Sequence, residues 1–349
     1  MAAIAVLLVH INLWELHNFG TFAVTPVMFS RGAAGVDLFF VISGFIMVFI
    51  QPQPIVTRDS YLRFIIHRFT RVYPPVWMVM LTLLPVWLIR PDLFNHFYHN
   101  HVDILRSFLL LPQNYTPLLG VAWSLIHEVY FYVVVSFALM FAARGRWLFG
   151  AAWFMVVLVV FRCFGATHFH QIRVLQLIFS PFSLNFLLGY FIGLSYHQIR
   201  KAPLPLAWVL LGTGVAGLMM SLTVSVSDSF GIYPDNNNLS RFFIWGVPAA
   251  LLVVAGLVWE MRLPKPLLQL DFFGDISYAI YLIHVPFVTL YYLMLAKLHF
   301  HSPAFLAIAA AVCLISCIMI SAGFHFYLEL KVTRKCRELL ERCLNLDKR

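Results

Sequence analysis

Residues 120–142 read GVAWSLIHEVYFYVVVSFALMFA, an apolar run of the length a bilayer-spanning helix requires, with one carboxylate, Glu128, inside it. On insertion scales a charge in mid-membrane costs roughly 2.5–3.5 kcal/mol, so the surrounding fold must hold it. Two further apolar runs are interrupted in the same way. MAAIAVLLVHINLW, residues 1–14, carries His10, and YAIYLIHVPFVTLYYLMLA, residues 278–296, carries His284. At about 1.5 Å per helical residue, His10 lies about 13 Å from the start of its run, His284 a similar distance from residue 275, and Glu128 about 12 Å from residue 120. In a hydrocarbon core about 30 Å thick all three fall near mid-membrane, where a shared polar cavity is the least costly way to retain them. A carboxylate at that depth needs a dedicated partner, whereas a histidine can be a packing residue bonded to a backbone carbonyl. His10 shares one helix face with Trp14 and His17.

Composition agrees with a membrane protein. Apolar residues make up 61% of the chain and charged residues 11%, well below the soluble norm of about 25%. Hydropathy predicts an all-α polytopic protein of about ten transmembrane helices, over residues 1–17, 36–50, 72–89, 120–142, 147–163, 174–196, 205–224, 241–259, 276–297 and 303–327, with 105–111 as a re-entrant piece. The apolar start has neither a basic flank nor a small-residue cleavage site, so it reads as a retained first helix. Most lysines and arginines fall in alternate connections: Arg58, Arg63, Arg68 and Arg71, then Arg144 and Arg146, then Arg200 and Lys201, then Arg262 and Lys265, then the tail. That asymmetry predicts cytoplasmic N- and C-termini.

The +9 formal charge is therefore topological, and no nucleic-acid partner is expected. Residues 1–328 read as one transmembrane domain, and 329–349 as a basic amphipathic cytoplasmic tail that lies on anionic membrane lipids or ends as a solvated helix. The five cysteines form no disulfide framework. The loop histidines His96, His99 and His101 lack the flanking ligands of a set geometry, so no metal is expected.

Four ordered segments resemble the acyltransferase-3 family of membrane proteins, in particular its exopolysaccharide-modifying branch. GAAGVDLFFVISGF at 32–45 is similar to the family's second-helix signature, and HRFTRVYPPVW at 67–77 to its basic cytoplasmic motif. WSLIHEVYFY at 123–132 resembles its glutamate-containing helix, and GDISYAIYLIH at 274–284 its late Ser-Tyr-to-His segment. The resemblance implies a ten-helix acyltransferase of the bacterial inner membrane. Its donor would be cytoplasmic acyl-CoA, usually acetyl-CoA, and its acceptor a hydroxyl of a polysaccharide or lipid-linked glycan. The chain departs from the family pattern at two places. No arginine precedes His10, which implies a late or truncated start, and His67 stands where the basic motif has its first arginine.

The residues suit that chemistry. Acyl transfer to a hydroxyl needs a base, and imidazole titrates near working pH. His10 is expected to be that base or a transient acyl carrier, with Glu128 orienting it or binding acceptor hydroxyls. Arg63, Arg68 and Arg71, with Tyr73, are expected to bind the phosphates of the donor; their alternative reading is positive-inside anchoring. Pro74 and Pro75 are expected to form a rigid helix entry that holds Arg71 and Tyr73. Asp37, Ser43, Trp123, Tyr132 and His284 are expected at the substrate site or cavity, although Asp37 can instead cap its helix and Ser43, beside Gly44, can serve close packing. Two other classes remain open: a proton-coupled transporter or flippase of a lipid-linked sugar, which also uses mid-span His and Glu, and a synthase scaffold. Labelled acyl transfer onto glycan separates the enzyme from both.

Overall fold

The fold is described from a computed structural model of the protein over residues 2–20, 31–94, 99–164, 172–220, 239–260, 262, 271–298 and 302–346. Among these residues every regular element is helical. Seven helical stretches are long and apolar enough to cross a membrane: Ala2–Phe19, Arg58–Ile89, Ala143–Cys163, Arg173–Leu194, Leu239–Glu260, Ser277–Leu298 and Pro303–Cys343. Shorter apolar helices, Ala34–Phe49, Ala122–Ala138 and Leu204–Met219, stand at the other three positions where hydropathy predicts spans. Residues 221–224 of the expected seventh span lie outside the described residues, as do His96, Lys265, Lys348 and Arg349.

We label the apolar helices α1 (Ala2–Phe19), α2 (Ala34–Phe49), α3 (Arg58–Ile89), α4 (Ala122–Ala138), α5 (Ala143–Phe164), α6 (Phe182–Leu194), α7 (Leu204–Met220), α8 (Val247–Glu260), α9 (Ser277–Leu295) and α10 (Pro303–Phe324), and the tail helix α11 (Leu330–Cys343). Lipid-facing surface is plain on α10, where Ile308, Ile315 and Met319 recur on one face at 57–68% exposure. The centre is held by α2 and α6, which approach backbone to backbone. A Cβ at Gly44 would sit 2.0 Å from the Phe186 carbonyl oxygen, and one at Gly189 would sit 1.8 Å from that of Val41. Small residues at such crossings replace the hydrophobic driving force that lipid removes. Phe186 then stacks on Phe131 of α4 with centroids 4.1 Å apart, tying the third helix in.

Helix α3 corrects the expected span at 72–89. It starts at Arg58, because Thr57 and Ser60 form a reciprocal capping box: Thr57 Oγ1 accepts from the Ser60 amide at 3.2 Å, and Ser60 Oγ accepts from the Thr57 amide at 3.3 Å. Pro74 and Pro75 therefore lie inside a 32-residue helix and are not its entry. Tyr73 and Trp77 anchor the segment after the short helix Ile104–Phe108: the Tyr73 hydroxyl donates to the Leu109 carbonyl at 3.1 Å and Trp77 Nε1 to that of Phe108 at 2.8 Å. That segment thus descends beside α3 to a level about 18 Å along the axis from Ile89.

Arg146, expected only as an inside charge, is a buried staple. Its guanidinium donates to the carbonyls of Gln51, Pro52, Leu139 and Phe141 at 2.9–3.2 Å. The tail is not a free helical end. A π-helical turn, His325–Glu329, joins α10 to α11, and α11 packs along the start of α3 through His67–Glu341 at 3.0 Å and Arg63 to the Leu346 carbonyl at 2.6 Å.

Candidate functional site

Two chambers meet inside the bundle. The first, about 310 Å³, lies where the N-terminal ends of α1 and α9 face α2, α3 and α4; Ser43, Arg68, Arg71, Glu128, Tyr132 and Tyr278 supply its polar lining with Ser124, Ser277 and Tyr281. The second, about 150 Å³, is lined by Val6, His10, Val36, Thr116, Gly120, Val121, Trp123, Tyr281 and Val285. Val36 and Tyr281 face both, so the partition is about one side chain thick.

In the basic chamber Glu128 accepts from Ser43 Oγ at 3.2 Å and from the Tyr132 hydroxyl. Those neutral donors are the dedicated partners that a part-buried carboxylate inside an apolar helix requires. Arg68 reaches over the rings of Phe64 and Tyr132, 5.8 and 5.7 Å from their centroids, and Arg71 over Tyr278 at 5.8 Å. Neither guanidinium forms an ion pair with Glu128, and Arg68 Nε is buried without a hydrogen-bond partner. Donors of that kind remain available to an anion. The Tyr278 hydroxyl donates to the Val72 carbonyl at 3.0 Å, which locks α9 to α3 beside Arg71.

In the histidine chamber His10 Nδ1 lies 2.9 Å from the Val6 carbonyl. A carbonyl only accepts, so Nδ1 carries the hydrogen in the neutral ring and Nε2 is the basic nitrogen. His284 is fixed the same way by the Ile280 carbonyl at 3.0 Å, and the two rings meet edge to face at 4.8 Å. His284 Nε2 is buried without a hydrogen-bond partner. The partition itself is braced: the Tyr281 hydroxyl donates to the Val121 carbonyl at 2.9 Å and lies 2.6 Å from Ser124 Oγ. An apolar groove of about 810 Å³ between α3 and α9 adjoins this chamber through Gly120 and Val285.

The single shared cavity expected for His10, His284 and Glu128 is therefore two. Glu128 does not touch His10, and the backbone of Val6 orients the imidazole instead, because the four-residue helical spacing brings that carbonyl under the ring. Arg68, Arg71, Ser43, Glu128 and Tyr132 line the basic chamber, and His10 and Trp123 the other, with His284 behind it. Asp37, Arg63 and Tyr73 line neither. Asp37 is fully buried and is not a helix cap: it pairs with Arg241 at 2.9 Å and accepts from Asn185 Nδ2 at 2.7 Å. Arg63 is committed to the tail, and Tyr73 to Leu109 and to stacking on Phe69 at 4.6 Å. The residues that sequence reasoning passed over are Tyr278, Tyr281 and Ser124. Their signal lay in the segments that resemble the family, Ser124 in WSLIHEVYFY and Tyr278 and Tyr281 in GDISYAIYLIH, and in the spacing of the two tyrosines with His284 along α9. Glu15 was also missed; it is buried and accepts from the Tyr292 hydroxyl at 3.0 Å.

The acyltransferase-3 family profile, described as an acyltransferase domain, matches residues 1–322. The chain is 28% identical over 263 residues to the exopolysaccharide production protein ExoZ of Rhizobium meliloti (strain 1021), covering 73% of this chain and 76% of that protein. No solved structure matches.

Proposed function

The chain belongs to the acyltransferase-3 family, and from that premise we propose that it is a membrane O-acyltransferase acting on exopolysaccharide, with acetyl-CoA as the donor. The observation that carries the reading is the pair of back-to-back chambers, one cationic and one holding a tautomer-fixed imidazole, separated by Tyr281. The reading takes about ten spans with both termini cytoplasmic in a bacterial inner membrane, which puts the basic chamber on the donor side. Residues 1–328 form the catalytic domain in this reading, and the tail from 329 is an appendage.

Arg68 and Arg71 hold the phosphates of the donor by charge-assisted hydrogen bonds, as guanidinium forks do well. The thioester end reaches past Tyr281 toward His10; along α9, Tyr278 and His284 are about 9 Å apart. A sugar hydroxyl enters the histidine chamber, and the lipid part of a lipid-linked acceptor would lie in the adjoining apolar groove. His10 Nε2 takes the hydroxyl proton as its oxygen attacks the thioester carbonyl. The new C–O bond forms, the C–S bond breaks, and the thiolate recovers the proton from the imidazolium. Glu128 works on the donor side, where it holds Ser43 and Tyr132 and balances the two arginines.

The test is mass spectrometry of cell-surface polysaccharide with and without the gene, paired with transfer of labelled acetyl from acetyl-CoA in membranes. An acyl mass lost without the gene and label placed on glycan with it, with acyl mass and label both absent for Glu128→Gln, support the reading. Unmodified glycan that crosses the bilayer in a protein-dependent way would replace it with transport.

A further inference from the structure

Glu329, Thr333, Arg337 and Glu341 recur at four-residue intervals and so share one face of the tail. Both carboxylates in that stripe are committed: Glu329 Oε2 to His325 Nδ1 at 2.8 Å in a buried pair, and Glu341 to His67 at 3.0 Å. The other acid of α11, Glu338, pairs with Arg334. Thr333 Oγ1 and Arg337 Nε, in contrast, are buried without a hydrogen-bond partner. Buried polar atoms are satisfied in nearly all cases, so two orphans on one stripe call for a ligand.

The register says where they point. Arg63 meets Leu346 and His67 meets Glu341, so α11 runs antiparallel to the start of α3. One turn further along both helices, Arg337 comes opposite Arg71, which lines the basic chamber next to Arg68, whose Nε is also orphaned. The register sets Arg337 level with Arg71, and the stripe's two carboxylates each already hold a histidine. Two arginines at one level favour an anion beside them. The π-helical turn His325–Glu329 carries α10 on into α11, so the tail continues along α3 past the level of Arg71.

We propose that Thr333 and Arg337 complete, with Arg71, a phosphate-binding site at the mouth of the basic chamber, so that the tail is part of the binding machinery. The phosphate belongs either to the nucleotide end of a coenzyme A donor or to an anionic lipid headgroup. Only the first source rests on the function proposed above. Thr333 and Arg337 lie beyond residues 1–322, which the family profile matches, whereas Arg71 lies within them.

The full chain is placed in nanodiscs of phosphatidylcholine, and coenzyme A binding is measured calorimetrically for wild type, Arg337→Gln, Arg337→Lys, the isosteric Thr333→Val, and the exposed control Lys335→Gln. Arg337→Gln should weaken binding about tenfold, the effect of one charge-assisted hydrogen bond. Arg337→Lys should recover part of that, Thr333→Val should weaken binding less, and Lys335→Gln should change nothing. Unfolding midpoints within error of wild type keep a folding defect from mimicking the loss. In a second arm phosphatidylglycerol is added. If the headgroup is the occupant, this lipid raises the unfolding midpoint of wild type but not of Arg337→Gln, while coenzyme A affinity is equal in both. Wild type that binds coenzyme A, with Arg337→Gln altering neither arm, overturns the tail site and leaves the acyltransferase reading intact. Wild type that binds no coenzyme A overturns the donor assignment, and the lipid arm alone then decides the site.

Discussion

Asp37 and Arg241 give the sharpest quantitative test of how this bundle is held together. Asp37 is 0% exposed, and both its oxygens lie 2.9–3.3 Å from Nε or Nη2 of Arg241, while Asn185 donates to one of them. Arg241 in turn lies over the rings of Phe182 and Trp245 at 5.0 and 4.5 Å. Replacing Asp37 by Leu leaves that guanidinium buried in an aromatic cage with no counter-charge, and removing one member of such a pair costs about 3–5 kcal/mol. Replacing both, as Asp37→Leu with Arg241→Met, removes the uncompensated charge and should restore most of that loss, because an apolar pair of similar volume is often neutral. Cation–π contacts worth up to about 2 kcal/mol disappear with the guanidinium, so full recovery is not expected. The assay is equilibrium unfolding in mixed micelles, followed by tryptophan fluorescence, for wild type, both single variants and the double. A coupling energy of about 2–3 kcal/mol is expected, at the upper end for neighbouring residues. Singles that cost under about 1 kcal/mol, or a double that is simply the sum of the singles, would refute the buried-pair account. Acyl transfer by the double variant should persist in whatever fraction remains folded, since Asp37 lines neither chamber.

His10→Gln should lower acyl transfer by about 10²–10⁴-fold, the range for a general base, while coenzyme A affinity stays near wild type; a rate within a few-fold of wild type would remove His10 from the chemistry. Tyr281→Ala opens the partition between the chambers, so thioester hydrolysis without acceptor should rise, read as free thiol released by purified protein in the absence of glycan. Gly189→Ala should lower stability by about 1–3 kcal/mol, since the added carbon meets the Val41 backbone, whereas Gly212→Ala, with nothing within 4 Å, should leave the unfolding midpoint in place.

Seven spans were legible because hydrocarbon enforces one rule, an apolar stretch of sufficient length; among the described residues seven helices meet it, and shorter apolar helices stand at the other three expected positions. What hydropathy could not see was the start of α3. Residues 58–71 carry four arginines and a histidine, so a window scores them as a loop, yet a capping box and the buried side chains of Phe64, Ile66 and Thr70 make them helix. Depth arithmetic places Glu128 and His10 along their helices but carries no azimuth, and so it merged two chambers into one. The Asp37–Arg241 pair spans 204 residues, and nothing local marks its partner. Tyr73 was misjudged for a related reason: its motif neighbours Arg68 and Arg71 face the chamber, but its own hydroxyl reaches the segment that descends from the opposite end of α3.

On the proposed reading, the thickness of the partition follows from electrostatics more than from shape. The phosphates of a coenzyme A donor are too costly to carry into a low-dielectric interior, and they can stop at arginines near the mouth. The thioester end is neutral, so it alone needs to pass Tyr281, and the acceptor hydroxyl is neutral as well until the base takes its proton. Charge then appears only at the reacting centre, between Nε2 of His10 and the departing sulfur, and disappears when the proton returns. Such a division needs a cationic chamber, a histidine held in one tautomer, and a barrier thin enough for a chain to cross but braced against collapse. Arg68 and Arg71, the Val6 carbonyl under His10, and the Ser124–Tyr281–Val121 hydrogen bonds meet those needs in turn. Because Tyr278, Tyr281 and His284 lie along α9, that one helix touches each stage in turn: the Arg71 guanidinium over Tyr278, the partition at Tyr281, and the ring of His10 against His284.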